Sequence, residues 1–427
     1  PELVESARLG MTLAFVTGNN MRQLTDRFVR WLVEHLHESG DLDLLDRFHF
    51  FCNAGGVYFR IDDPQTLASG EASARDLFDS ITRRDEADTL AIRPDLIDGH
   101  YLGVVSIAPA DVEPVKQVLA EAALRYRQRL DSGDIDLEPY DLSLLTRDGA
   151  LVTPTVRDRP VLFGHDAVPQ QATVQITLKP VLSFRQARSE EDRVRLFEHD
   201  VRSQLIAEID TELERRGLQR YTARPGGRSS IDVTLRTLDK AFAMEFLIER
   251  LGMHGGSDDP APIGEHAIYF GDEVIVGGGN DYAVTRIPGL LVFAVNPDRA
   301  LVPFLSQVLV PSPVLEGPDA TAEVLSELND VARTVLRQAD DGDADAVFDS
   351  AIEAFKVSVF ASRVESKVHE LRGRGHLSLD DWRLLHAIVT LMHRADPAAG
   401  QWRSELIQDL DAVMAYLAHR DAQEQPP

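Results

Sequence analysis

The sequence is poor in cysteine, in long apolar runs and in basic residues relative to acidic ones. Its single cysteine, Cys52, excludes an intrachain disulfide and any metal site built from several cysteines. A chain with so little cysteine is typical of the reducing cytoplasm, and we expect a cytoplasmic protein. No apolar run approaches the roughly 20 residues needed to span a bilayer, so we expect no contact with a membrane.

The excess of acidic residues limits the partners that the protein can bind. The chain has 427 residues and a net charge of −26. Nucleic acid is disfavoured as a partner, because affinity for it comes mainly from basic groups on phosphates. An anionic small molecule would need a local basic pocket that acts against the field of the whole protein.

The order of apolar segments at the start of the chain predicts an α/β fold. Met11–Val16 predicts a strand that ends in a polar loop, and the amphipathic segment Met21–His37 predicts the helix after it. Phe48–Phe59 predicts a strand, a turn and a second strand. A strand–loop–helix–strand order indicates a parallel sheet with helical crossovers.

The pattern changes between residues 80 and 236, where it predicts a separate α+β unit. Two helices are predicted there, over Pro114–Leu130 and Glu190–Arg216. Alternating apolar and polar residues predict strands in three segments, Tyr101–Ala108, Ala172–Lys179 and Ser229–Leu235.

The α/β pattern returns in the last third of the chain. Asp239–Leu251 predicts a helix, and Ala267–Phe270 and Leu290–Val295 predict strands. The predicted domains are therefore a first core segment (1–79), an inserted α+β unit (80–236), a second core segment (237–316) and a helical C-terminal region (317–427).

Two polar clusters lie where a predicted strand ends or a predicted helix begins. Thr17, Gly18 and Asn19 offer a hydroxyl and backbone N–H groups at the start of a helix, which suits a phosphate oxygen. Lys240 opens a later helix and places an ammonium group where it can hold a phosphate. Ligands of open α/β sheets bind at the carboxyl ends of strands, so we expect these two clusters and a third, described next, to converge.

A third cluster follows the strand that ends near Phe270. Asp272 and Asp281 flank a glycine-rich loop whose glycines allow the backbone to fold tightly. Hard oxygen ligands of this kind suit Mg²⁺, which usually takes one or two carboxylates together with waters and phosphate.

Taken in order, these clusters resemble motifs two, three and four of the haloacid dehalogenase superfamily. The spacing of Gly271-Asp272 from Asn280-Asp281 is most similar to that of the eukaryotic-type phosphomannomutase branch. The resemblance implies a Rossmann-like α/β core with an inserted α+β cap domain, and a C-terminal all-helical extension lies outside it.

The resemblance also implies roles for individual residues and a magnesium cofactor. Asp272 and Asp281 would hold Mg²⁺, and the catalytic residues would be Thr17, Lys240 and Asp272. The residues implied to bind the transferring phosphoryl group are Thr17, Gly18, Asn19 and Lys240. An aspartyl-phosphate would form on an aspartate nucleophile during the reaction.

The middle unit resembles the phosphomannomutase cap. In that resemblance Arg185 or Arg188, together with Arg193, would grip a distal phosphate, as guanidinium groups bind phosphate bidentately. Ser230 and Asp232 would contact the hydroxyls of a sugar.

The nucleophile motif of the family, an Asp-x-Asp that follows the first strand, has no match in this sequence. The pairs Asp41 and Asp43, and Asp134 and Asp136, have the spacing but no buried strand before them, and Asp148 lacks the first acid. We expect the natural protein to carry an N-terminal segment that supplies this motif.

The resemblance predicts an enzyme that acts on a phosphorylated small molecule, with a sugar phosphate as the expected substrate. A phosphatase is favoured because hydrolases dominate the superfamily, which is an argument by analogy. Two alternatives stay open, a hexose phosphate mutase and a sugar-phosphate-binding pseudoenzyme. The apolar stripes of the C-terminal helices are first of all core residues, and the sequence assigns this region no function; a dimerisation element, which would give a homodimer, and a second cap both stay open.

Overall fold

The structure is a computed structural model. It describes residues 1–18, 20–61, 73–84, 90–147, 150–158, 160–165, 167–227, 229–251, 267–271, 281–288, 290–295, 308–309, 317–338 and 355. The chain divides into two compact units, of which the larger takes in Thr12–Leu247 and Gly278–Ala283. The smaller unit takes in Pro1–Met11, Ile248–Gly277 and Val284–Pro427. The domain boundaries predicted above stay a prediction.

Helices and strands alternate along the chain in a mixed α/β arrangement. The helices are α1 (Glu2–Arg8), α2 (Met21–Leu24), α3 (Arg30–Ser39), α4 (Ala74–Ile81), α5 (Gly99–Val105), α6 (Pro109–Asp131), α7 (Glu190–Glu198), α8 (Val201–Arg215), α9 (Lys240–Arg250) and α10 (Gly317–Gln338). The strands are β1 (Leu13–Val16), β2 (Phe48–Cys52), β3 (Val57–Arg60), β4 (Thr82–Arg84), β5 (Leu90–Ile92), β6 (Thr146–Arg147), β7 (Ala150–Leu151), β8 (Thr155–Asp158), β9 (Val161–Phe163), β10 (Gln170–Ala172), β11 (Ile176–Lys179), β12 (Tyr221–Gly226), β13 (Ser230–Leu235), β14 (Ile268–Gly271), β15 (Leu291–Ala294) and β16 (Val308–Leu309). None of the described helices combines the length and the apolar character needed to cross a membrane.

The first sheet of the larger unit has the order β1-β2-β3. β1 runs parallel to β2, and β2 pairs with β3 as an antiparallel hairpin, so the strands predicted at Met11–Val16 and Phe48–Phe59 are confirmed. Every residue of β2 is buried, including Cys52, whereas the residues of the edge strand β1 are half-buried. Stacked rings of Phe50 and Phe59, 5.0 Å apart, join the two strands of the hairpin.

The second sheet of the larger unit has four antiparallel strands in the order β12-β13-β11-β8. Residues that alternate along a strand face opposite sides of a sheet. The apolar set is fully buried in a core shared with α6 and α8, and it includes Ile176, Leu178, Ile231 and Val233. The polar set lies on the other face, where the candidate site is found.

The strand predicted over Tyr101–Ala108 is wrong, because this segment begins with helix α5. The Asp98 side chain caps the helix by accepting a hydrogen bond of 2.9 Å from the Tyr101 N–H. Tyr101, Leu102 and Val105 are all buried on one face of the helix. The cap and this helical face outweigh the period-two pattern on which the strand prediction was based.

The single helix predicted over Glu190–Arg216 is two helices, α7 and α8. The break falls at Asp200, whose carboxylate accepts a hydrogen bond of 3.0 Å from the Ser203 N–H and so starts a new helix. The helices predicted over Met21–His37, Pro114–Leu130 and Asp239–Leu251 are all present, the first with a π-helical turn at Thr25–Val29.

The smaller unit contains the parallel sheet β14-β15-β16, which confirms the strands predicted at Ala267–Phe270 and Leu290–Val295. Helix α10 packs on α1, where the Ser6 hydroxyl donates a buried hydrogen bond of 2.9 Å to Asn329 Oδ1. Phe293 and Leu328 belong to the apolar core of this unit. The rest of the predicted helical C-terminal region, apart from Phe355, lies outside the described residues.

Candidate functional site

The loop after β1 is tied to the turn that follows β2. The Thr17 N–H donates a hydrogen bond of 2.9 Å to the Phe51 carbonyl, and the Thr17 carbonyl accepts one of 3.0 Å from the Ala54 N–H. Asn20 then caps α2 by accepting a hydrogen bond of 3.1 Å from the Gln23 N–H. These bonds fix the backbone on both sides of Gly18, which is exposed. Asn19 lies outside the described residues.

The turn between β2 and β3 has an unusual backbone. Asn53 and Ala54 both have positive φ, at 52° and 57°, a region that residues with a side chain seldom adopt. Such conformations cost of order 1–3 kcal/mol each and persist where the surrounding structure enforces them. The Tyr101 hydroxyl donates a hydrogen bond to the Gly55 carbonyl and so helps to hold this turn.

The same turn lies against the start of α9. A Cβ atom added at Gly55 would stand 3.3 Å from the Ala243 Cβ and 3.4 Å from the Asp239 carbonyl oxygen. Asp239 caps the helix, since its carboxylate accepts a hydrogen bond of 2.9 Å from the Phe242 N–H. The end of β1, the turn after β2 and the start of α9 therefore lie together.

Lys240 and Asp281 form a buried ion pair within the larger unit. The Lys240 ammonium contacts Asp281 Oδ1, although the two residues are 41 positions apart in the chain. Lys240 is 8% exposed and Asp281 is 1% exposed. A buried ion pair needs close geometry to offset the loss of hydration, and removal of one partner leaves an uncompensated charge. The two residues, both predicted from the sequence to take part in phosphoryl transfer, are thus in direct contact.

One of the two predicted magnesium ligands lies among the described residues. Asp281 provides a buried carboxylate oxygen of the type that Mg²⁺ prefers. Asp272, the other predicted metal ligand, lies outside the described residues. Within the described part of the chain, no group of three or more His, Cys, Asp or Glu side chains is placed to hold a metal ion.

A cleft of about 200 Å³ separates the loop after β1 from the polar face of the four-stranded sheet. One wall comes from the loop and the neighbouring turn, the other from β8, β11 and the β12–β13 hairpin. The residues that line it are Gly18, Asn20, Gln23, Asn53, Arg157, Gln175, Thr177, Lys179, Gly227, Ser230 and Asp232. The structure therefore brings the predicted residues Gly18, Ser230 and Asp232 to one cleft.

Asp232 is held in place by a chain of hydrogen bonds on the cleft wall. The Thr177 hydroxyl donates to Asp232 Oδ1 at 2.7 Å, and Gln175 Nε2 donates to the Thr177 hydroxyl at 3.0 Å. Burial raises the pKa of the Asp232 carboxyl above its ordinary value, although these hydrogen bonds and nearby cations act in the opposite direction. Gly226 faces Asp232 so closely that an added Cβ atom would collide with its carboxylate.

The three arginines implied to grip a distal phosphate do not line this cleft. Arg188 Nε donates a hydrogen bond of 3.0 Å to the Tyr140 carbonyl. The Arg185 guanidinium lies 5.8 Å from the centre of the Phe184 ring. Arg193 is half-buried in α7. Their predicted role stays a prediction.

Two charged cleft residues were missed by the sequence reasoning, Arg157 on β8 and Lys179 on β11. The alternation of Gln175, Thr177 and Lys179 along a predicted strand was a usable signal, because it places all three on one face. Arg157 carried no such signal, because its position beside Thr177 depends on the pairing of β8 with β11.

Comparison with solved structures gave matches of low similarity. No protein-family model matches the chain, and the comparison with curated proteins found no match. An N-terminally truncated IMP-nucleotidase of Plasmodium falciparum is 12% identical, with a TM-score of 0.41, over 76% of this chain and 64% of that one. A haloacid dehalogenase-like hydrolase from Bacteroides thetaiotaomicron is 12% identical, with a TM-score of 0.35, over 77% of this chain and 90% of that one.

The chain spans less than two-thirds of the length of the Plasmodium falciparum IMP-nucleotidase structure, at 64%.

Proposed function

We propose that this protein is a phosphatase of the haloacid dehalogenase type that hydrolyses a phosphorylated small molecule, with a sugar phosphate as its substrate. The observation that carries the proposal is the buried pair of Lys240 and Asp281. A buried cation at the start of a helix, beside a loop that offers a hydroxyl and backbone N–H groups, suits a bound phosphoryl group.

The loop after β1 and Lys240 would hold the reacting phosphate. The Thr17 hydroxyl and the N–H groups near Gly18 would donate to phosphate oxygens, and the hydrogen bonds of Thr17 to Phe51 and Ala54 keep that loop in position. Lys240 would offset the negative charge that spreads over the equatorial oxygens in the transition state. Each of these groups acts by position and charge rather than by forming a bond.

Mg²⁺ would be held by Asp281 together with Asp272, and when bound it would offset the repulsion between carboxylate and phosphate. The contact of Asp281 with Lys240 would keep the ammonium group oriented whether or not a substrate is present.

The polar face of the sheet would hold the sugar. Asp232 is oriented by Thr177 and can accept a hydrogen bond from a hydroxyl of the substrate, and Ser230 lies beside it on β13. The nucleophile that this reaction requires has no match among the residues of the chain, so these groups account for binding and charge and not for the bond-forming step.

The proposal is tested by measuring phosphate release from a panel of phosphate esters by the natural protein. The panel contains fructose 6-phosphate, glucose 6-phosphate, mannose 1-phosphate and inosine monophosphate, each assayed with Mg²⁺ and with a chelator. We expect release that needs the metal and is lost in Asp272→Asn. Interconversion of hexose 1- and 6-phosphates without release would instead indicate a mutase.

Binding of a sugar phosphate without release or interconversion would contradict catalysis and favour the pseudoenzyme. Asp79→Asn is a matched control for Asp272→Asn, because Asp79 lies on the surface of α4 in an exposed pair with Arg75. This control is expected to leave release unchanged.

A further inference from the structure

Asn53 is a nearly buried polar residue at the wall of the cleft. Only 8% of its surface is exposed, and it lies in the turn between β2 and β3. It also lines a second cleft, of about 410 Å³, whose walls include residues of β5 and β9. Asn20 and Asn53 line both clefts. A ligand that extends from one cleft into the other would therefore pass Asn53.

The Asn53 carboxamide has hydrogen-bonding capacity that the described part of the chain does not use. Among the described residues, none is hydrogen-bonded to this side chain, whereas the Asn53 carbonyl accepts a hydrogen bond of 3.0 Å from the Gly56 N–H. A buried polar side chain without a partner has lost its bonds to water and gained nothing in return. A bound ligand can restore those bonds, since a carboxamide both donates and accepts.

The positive φ of this turn does not by itself account for an asparagine. Asn is enriched at positive φ, so Asn53 could be explained by its backbone alone. Ala54, however, has a φ of 57° in the same turn without a polar side chain. The turn therefore accepts a residue that has no carboxamide, and the carboxamide of Asn53 needs another explanation.

Tyr101 holds the turn from inside the core. Its hydroxyl donates a hydrogen bond to the Gly55 carbonyl, and burial raises the pKa of Tyr101, so the hydroxyl keeps its proton. The centre of its ring lies 4.5 Å from that of Phe246 on α9. Tyr101 thus connects the turn at Asn53 to the helix that begins at Lys240.

We infer that Asn53 is a substrate-binding residue whose carboxamide contacts the phosphate ester beyond its phosphate, and that Tyr101 is a positioning residue that acts through it. The inference rests on the proposed function for the identity of the ligand. A carboxamide is neutral and has both a donor and an acceptor, so it suits a hydroxyl or the ester oxygen of the leaving group. The phosphate itself would be held by other groups.

The inference is tested by calorimetric titration of the natural protein with fructose 6-phosphate and with inorganic phosphate, in a chelator so that turnover does not interfere. Asn53→Gly removes the carboxamide and keeps a residue that adopts positive φ readily. We expect a loss of about 3- to 10-fold in affinity for fructose 6-phosphate, the size expected for a lost hydrogen bond, and less than about twofold for inorganic phosphate. Ala54→Gly is the matched control, because it makes the same backbone change at the next residue and should leave both affinities unchanged.

The positioning role is tested by Tyr101→Phe, which removes the hydroxyl that binds the Gly55 carbonyl. It should weaken binding of fructose 6-phosphate by about two- to fivefold in the wild type. It should add no further loss to Asn53→Gly, because residues that act through one another are not additive. Tyr126→Phe is the control, since it removes another buried hydroxyl, one that accepts a hydrogen bond of 3.0 Å from the Leu182 N–H. Thermal unfolding shows whether each variant is folded.

Wild-type affinity for fructose 6-phosphate in folded Asn53→Gly would overturn the inference, and so would equal losses for fructose 6-phosphate and inorganic phosphate. It would also be overturned if the wild type bound fructose 6-phosphate no more tightly than inorganic phosphate, because the leaving group would then add no affinity. A full additional loss from Tyr101→Phe in the Asn53→Gly protein would refute the positioning role. If the variants show the expected selectivity but no phosphate is released with Mg²⁺, the proposed function fails and the contact stands.

Discussion

The two faces of the four-stranded sheet are built from neighbouring residues of the same strands, yet one face is apolar and the other is polar. On one face Ile176, Leu178 and Ile231 are fully buried against α6 and α8. On the other face Thr177 and Asp232 form a hydrogen-bonded pair at the wall of the cleft. Alternation along the strand separates the two sets, because successive side chains point to opposite sides.

The comparison shows how one sheet can serve stability and binding through separate residues. Apolar burial on the core face supplies a rigid support, and the polar face can then hold side chains whose own burial is unfavourable. Asp232 illustrates this, since burial raises the pKa of its carboxyl while Thr177 and Gln175 orient it. Substitutions on the two faces should therefore have different consequences.

The largest effect on stability is expected on the core face. Leu178→Ala removes a fully buried side chain and should lower the free energy of unfolding by about 2–5 kcal/mol, as large-to-small core substitutions do. Affinity for fructose 6-phosphate, measured at a temperature where the variant is folded, should stay near the wild-type value. A large loss of affinity with little loss of stability would contradict the assignment of stability to one face and binding to the other.

An intermediate effect is expected where the polar face is tightly packed. Gly226→Ala places a Cβ atom against the Asp232 carboxylate and should cost about 1–3 kcal/mol in denaturant unfolding, as overpacking does. It should also weaken sugar-phosphate binding, because Asp232 must move. Gly227 is a neighbouring control, since an added Cβ meets no atom there within 4 Å although its φ is positive. Equal binding losses in Gly226→Ala and Gly227→Ala would argue against a direct clash with Asp232.

A smaller effect is expected from loss of one hydroxyl. Thr177→Val keeps the shape of the side chain but removes the hydrogen bond to Asp232 and should cost about 1 kcal/mol. The pKa of Asp232 should rise further, because this hydrogen bond favours its charged form. NMR titration of the Asp232 carboxyl would detect the shift, and an unchanged or lowered pKa would contradict it.

The smallest effect is a change in pH dependence. Burial raises the pKa of folded Asp232 above the ordinary value, so this residue contributes stability below about pH 3.9, and the contribution is lost as pH rises through the folded pKa. Asp232→Asn does not titrate, and its stability relative to wild type should therefore increase as the pH is raised from 4 to 7. Denaturant unfolding across that range tests this, and a difference that falls with pH would contradict the sign.

Much of the fold follows from patterns that are local in the sequence. The run Met11–Val16 and the segment Phe48–Phe59 predicted the strands of the first sheet, and these predictions succeeded because each depended on a short stretch of sequence. The expectation that polar clusters at strand ends converge placed Lys240 and Asp281 in one predicted site, and the two residues are in contact.

The rest depended on features that a single sequence does not display. The period-two pattern of Tyr101–Ala108 concealed a helix that depends on a cap at Asp98. The place of Arg157 beside Thr177 is set by pairing between distant strands. Register of this kind arises from packing of the whole sheet, so the position of Arg157 at the cleft emerges only once the strands are paired.

The central claim is that a phosphate ester reacts where Lys240 meets Asp281, and phosphate release by Lys240→Gln tests it most directly. Release from fructose 6-phosphate with Mg²⁺ is measured for wild type, Lys240→Gln and Leu178→Ala, at a temperature where thermal unfolding shows all three folded. The account predicts that Lys240→Gln loses about 100-fold or more in kcat, the size expected for a group that stabilises the transition state, while Leu178→Ala keeps a rate near wild type. Release by folded Lys240→Gln at the wild-type rate would contradict it.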